Sequence, residues 1–74
     1  MNVELTKSLF KAGTKVRLNY MLGEPHMPTG LLGTVQFVDD IGQIHVNWDN
    51  GSTLALSPDD DFTVITYDEM KFKR

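Results

Sequence analysis

Two histidines, a run of three aspartates, a serine followed by proline and a few outward cations are the side chains of this 74-residue chain with chemistry to offer. His26 and His45 raise metal binding. They lie far apart, no cysteine accompanies them, and neither belongs to a helical His-x-x-x-His pair. His45 is expected as an outward strand residue and His26 as a loop residue. Asp59-Asp60-Asp61 has neither the alternating oxygen ligands, the sixth-position glycine nor the distal glutamate of a calcium loop. Ser57 has no His–Asp partner at a readable spacing, and no glycine-rich phosphate loop is present, because Gly13, Gly30, Gly33, Gly42 and Gly51 are all assigned to turns. The expectation is a non-enzymatic protein with no metal and no cofactor.

Two residue sets could instead make a binding surface. The first is the loop set Pro25, His26, Met27 and Pro28 with Trp48, a candidate protein-binding surface; the loop is long, and long loops in small domains are often functional. Trp48 is expected in the core, closing one end of the fold; at the surface it would make an aromatic groove instead. The second set is Lys15, Arg17, Gln36, His45 and Asn47, outward positions on nearby strands, which form a basic-polar strip suited to phosphate contacts.

Charge is segregated along the chain. The net charge is −3, yet residues 1–38 carry +2, residues 39–70 carry −8 and residues 71–74 carry +3. A weakly acidic mean therefore leaves room for a basic face. The acid-rich middle would repel phosphate, which favours a protein partner, with nucleic acid as the alternative and a structural or oligomerising role as the third. No membrane partner is expected: the apolar runs are short, and Met1 is followed by Asn-Val-Glu-Leu rather than a basic and apolar leader. A cytoplasmic location is the default.

The elements that must position these residues centre on residues 33–56. Asn50-Gly51 signals a hairpin, and a three-residue loop (Asp49, Asn50, Gly51) pairs Val46 with Leu54 and Ile44 with Leu56. A four-residue loop from Asp39 to Gly42 pairs Phe37 with Ile44 and Val35 with Val46. Both hairpins then bury Val35, Phe37, Ile44, Val46, Leu54 and Leu56, with Val38 as an exception on the opposite face. Thr14–Met21 alternates as a strand with Val16, Leu18 and Tyr20 inward. Ser57-Pro58-Asp59-Asp60-Asp61 has the residues of a single helical turn, and Phe62–Ile65 makes a short closing strand. The fold class is all-β: a five-stranded SH3-like barrel over residues 13–66, with an N-terminal arm or short helix over 1–12 and a C-terminal tail over 67–74.

Gly13-Thr14-Lys15-Val16-Arg17-Leu18, Gly30-x-x-Gly33-Thr34-Val35 and the run from Val38 to Leu56 resemble an uncharacterised bacterial family of SH3-like barrels. That family is a domain of unknown function whose members lie in or near phage and conjugative elements. The chain departs from it at Leu31-Leu32 and at Asp59-Asp60. The Gly-x-x-Gly-x-Val turn is also similar to translation-associated KOW barrels. The resemblance implies the fold and adds little to function.

Overall fold

Asn2 starts the chain's helix, because its extended backbone and short amide side chain suit an N-cap, and its Oδ1 accepts the Leu5 N–H at 3.1 Å. In the computed structural model, which describes residues 2–21, 23–24 and 26–65, this helix, α1, spans Val3–Leu9. Buried Thr6 faces the sheet, and Phe10 beyond the helix packs on the core with its ring 5.6 Å from that of Phe62. Leu5 and Leu9 stay exposed.

Among the described residues four strands follow: β1 (Lys15–Tyr20), β2 (Leu32–Val38), β3 (Ile44–Trp48) and β4 (Asp61–Ile65). All pairings are antiparallel, and the order across the sheet is β3-β2-β1-β4. Val16 and Leu18 of β1, Val35 and Val38 of β2, and Ile44, Val46 and Trp48 of β3 point to the buried side, where they meet Met21, Met27 and Leu56. One face of β1, β2 and β3 thus enters a single core, against which the partly buried Phe62 of β4 packs.

The second hairpin has the three-residue loop expected from its apolar pattern. Gly51 N–H donates to Trp48 O, Trp48 N–H donates to Ser52 O, and Gly51 sits at φ +89°. That is a turn followed by a left-handed residue, which glycine alone adopts without strain. The strand expected after it does not form among the described residues. Ile44 and Leu56 exchange both backbone hydrogen bonds in an isolated bridge, but Leu54 is exposed and does not face Val46. The cause is competition for the backbone. Leu54 O accepts the Trp48 indole N–H at 2.9 Å, and Leu54 N–H donates to Ser52 Oγ at 3.2 Å.

The first hairpin repeats the same design and corrects the four-residue loop. Asp39 N–H donates to Gln43 O, Gly42 N–H donates to Asp39 O, and Gly42 is left-handed at φ +87°. Val38 therefore pairs with Ile44 and Phe37 with His45. A bulge between Val35 and Phe37 then restores the expected Val35–Val46 pairing. The outcome exchanges two side chains: Val38 is buried, and Phe37 is turned out of the core.

Gly33 is a strand residue rather than a turn residue. A Cβ there would lie 2.5 Å from Val46 Cγ1 and 2.7 Å from Trp48 Cε3. The indole lies against the Gly33 backbone because no side chain intervenes. The Ser57–Asp60 segment makes one hydrogen-bonded turn, reciprocally capped: Asp59 N–H donates to Ser57 Oγ, and Ser57 N–H donates to the Asp60 carboxylate.

Replacing Gly33 with Ala overpacks that contact and is expected to destabilise the fold by about 1–3 kcal/mol. Thermal or urea denaturation checks this; an unchanged midpoint would mean that the indole does not rest on Gly33.

Candidate functional site

The strand registers set the side chains of the outer sheet face in rows. Lys15 pairs with both Thr34 and Ile65, and Thr34 pairs with Asn47, so one row runs Asn47–Thr34–Lys15–Ile65 across all four strands. Arg17 pairs with both Leu32 and Thr63, and Asp49 N–H donates to Leu32 O, so a second row runs Asp49–Leu32–Arg17–Thr63. The pair Phe37–His45 stands at the hairpin end of β2 and β3.

Four of the five residues expected in a basic-polar strip, Lys15, Arg17, His45 and Asn47, therefore share one face. Gln36, the fifth, sits in the bulge, exposed, and its Nε2 donates to Thr34 O. Lys15 Nζ donates to Thr34 Oγ1 at 2.6 Å, which holds the ammonium over the β1–β2 boundary. Among the described residues the Arg17 guanidinium has no hydrogen-bond or ion-pair partner. An open cleft of about 470 Å³ lies along this face, lined by Lys15, Arg17, Leu32, Thr34, Asp49 and Ile65.

The loop set is dispersed. Met27 is 6% exposed and Trp48 3% exposed, both inside the core cluster. His26 and Pro28 are exposed, and Pro25 lies outside the described residues. The second half of this loop is tied to β1, with Gly30 N–H donating to Leu18 O and Thr29 Oγ1 donating to Asn19 O. It serves the core through Met27 as much as it faces solvent.

Several residues of the face escaped the sequence pattern. Phe37 is 55% exposed and stacks on His45 with ring centroids 4.3 Å apart and planes 8° apart. Leu32, Asp49 and Ile65 complete the cleft around Thr34, whose outward place follows from alternation. The available signal was Val38, the one aliphatic on the wrong side of the alternation. A bulge at Gln36 makes it regular and expels Phe37.

Asp39 organises this end of the sheet. Its Oδ1 accepts the N–H groups of Ile41 and Gln43 at 3.1 and 2.9 Å, and its Oδ2 accepts from His45 Nε2 at 2.8 Å. The His45 hydrogen bond, with those of Gln43 and Ile41, holds the Asp39 carboxyl below the ordinary carboxylate range, against some loss of hydration. A carboxylate on an imidazole can orient a general base. Here no hydroxyl is hydrogen-bonded to His45 among the described residues, and its ring is stacked on Phe37. Among the described residues no three His, Asp or Glu side chains converge to hold a metal, and no helix is long and apolar enough to cross a membrane. Beside the hairpin, Lys7 of α1 pairs with Asp40 at 2.9 Å, and that carboxylate raises the lysine pKa. The pair is solvent-exposed, so its worth is small.

Because the folded Asp39 titrates below its unfolded value of about 4, its contribution to stability is complete above that pH and is lost as pH falls through the lower, folded value. Asp39→Asn is expected to lower the melting temperature at neutral pH and to flatten its decline below about pH 4. Parallel melting curves of the two proteins from pH 7 to pH 2 check this; parallel declines would contradict it.

No curated protein and no solved structure matches the chain. Residues 1–65 match the family described as "Domain of unknown function (DUF4314)", nearly the whole of the chain, α1 and all four strands included. The chain belongs to the DUF4314 family.

Proposed function

We propose that the chain is a non-enzymatic binding module of SH3-like barrel type that takes nucleic acid on the outer face of its sheet. The observation that carries this reading is the register that gathers Lys15, Arg17, Thr34, His45 and Asn47 on one exposed face, where side chains of those types suit a phosphate backbone. The SH3-like assignment is supported by the chain order. Two successive hairpins are followed by a bridge at Leu56, one capped turn, and a last strand that returns to pair with the first. In this assignment the fourth of five barrel strands is reduced to the Ile44–Leu56 bridge. A cytoplasmic site of action belongs to the same reading, as does the bacterial and mobile-element setting that the family resemblance implies.

A protein partner at the 22–29 loop is the second reading. A smaller cleft of about 260 Å³ beside exposed Tyr20, with Met21, Gly23 and Glu24, favours it. The burial of Met27 and Trp48 leaves that surface less to offer than the loop composition promises.

Fluorescence anisotropy with labelled oligonucleotides tests the nucleic-acid reading. Affinity should fall steeply with added salt, and Arg17→Glu should weaken binding and reduce the slope of log K against log salt by about 1. Binding that ignores both salt and Arg17 would contradict the reading, as would self-association with no binding of any oligonucleotide.

A further inference from the structure

We infer that this face recognises single-stranded rather than double-stranded nucleic acid, with the Phe37–His45 pair as the platform on which a base stacks. The inference rests on the nucleic-acid reading and deepens it. Its first support is the exposed aromatic pair. Buried aromatics fill cores, but the bulge at Gln36 spends a register shift to put a phenyl ring outside, parallel to an imidazole and half open to solvent. One ring face is covered by His45. Phe37 is 55% exposed, so its ring is within reach of a nucleobase, and base–aromatic stacking works with every base because each has a π-face.

The second support is the position of the cations. Thr34 lies one outer-face position from Phe37 along β2, and Lys15 lies beside Thr34 on β1. With about 3.3 Å per residue and about 4.8 Å between strands, the Lys15 backbone is roughly 8 Å from that of Phe37. A base on Phe37 and the phosphate of a neighbouring nucleotide at Lys15 and Arg17 then belong to one short stretch of strand. Thr34, between the two, and Asn47, beside Thr34 on β3, offer hydroxyl and amide groups to a sugar or base edge.

The third support is where the carboxylates fall. Lys15 and Arg17 form a column on β1, flanked two strands away by Asp49 and the Asp39–His45 pair at the β3 border and ended by Asp61 of β4, whose carboxylate accepts from Asn19 Nδ2. Two strand spacings amount to about 10 Å. A duplex presents two phosphate rows about 12 Å apart across its major groove, so a duplex with one row on Lys15 and Arg17 and the other toward β3 meets Asp39 and Asp49. One flexible backbone follows the basic column and avoids that border.

The test compares a labelled dT8 oligonucleotide, a U8 oligonucleotide and a blunt 12-base-pair duplex, with the wild type, Phe37→Ala, Phe37→Trp and Arg17→Glu. Amide NMR spectra confirm that each variant is folded; Phe37 lies outside the core, so the fold should survive. The inference predicts that the wild type prefers either single strand to the duplex by at least about tenfold. It also predicts that Phe37→Ala loses about tenfold in affinity while Phe37→Trp retains it. Equal affinity for duplex and single strand, or Phe37→Ala binding like the wild type while Arg17→Glu does not, would overturn the inference and leave the nucleic-acid reading standing. No binding of any of the three at low salt would overturn both.

Discussion

The indole of Trp48 lying on the bare backbone of Gly33 is the contact on which most of this structure depends. It needs glycine at that site, since a Cβ would stand within 2.7 Å of the ring and closer still to Val46. It buries the largest side chain in the protein without an unpaired polar atom, because the indole N–H finds Leu54 O. That hydrogen bond has a cost in sheet. The carbonyl it uses is no longer free for a ladder to β3, and the segment after the second hairpin leaves the sheet until Leu56 rejoins at Ile44. One aromatic side chain thus sets both the packing of β2 on β3 and the place where pairing stops.

A similar exchange shapes the opposite end of the sheet. Asp39 uses one carboxylate oxygen to hold the turn and the other to hold His45, so the hairpin and the side chain of an outer-face residue are fixed together. The tight loop shifts the register by one, the bulge shifts it back, and Phe37 is expelled between the two. Inside, the core loses a phenyl ring and gains Val38. Outside, the sheet gains a stacked aromatic pair beside a polar, basic face. The proposed binding role and the irregular register are therefore two consequences of one hairpin.

The sequence made the second hairpin legible because Asn50-Gly51 and the Ile44–Leu56 pairing constrain each other, and both are found. The strands around Val16, Val35, Val46 and Val64 were legible as strands, but alternation set Tyr20 and Phe37 inward and both are exposed. What alternation could not reveal were the places where a side chain competes with the backbone. The indole–Leu54 bond removes an expected strand, and the Asp39 turn changes a loop length that the apolar pattern had fixed by assuming Phe37 inside. Gly33 looked like a turn glycine because nothing in the sequence marks which residue will lie against it. For the face, the pattern correctly placed Lys15, Arg17, His45 and Asn47 outward but missed Phe37, whose exposure depends on the bulge. The loop set was misleading for a related reason: in a domain this small, Met27 and Trp48 are needed as core.

Amide NMR mapping decides whether the outer sheet face meets the ligand. With the labelled chain titrated by a short oligothymidylate at low salt, shifts should be confined to Lys15, Arg17, Thr34, Phe37, His45 and Asn47 and vanish as salt is added. Shifts at Gly23–Gly30 or along α1, with the outer sheet face unmoved, would contradict binding at that face.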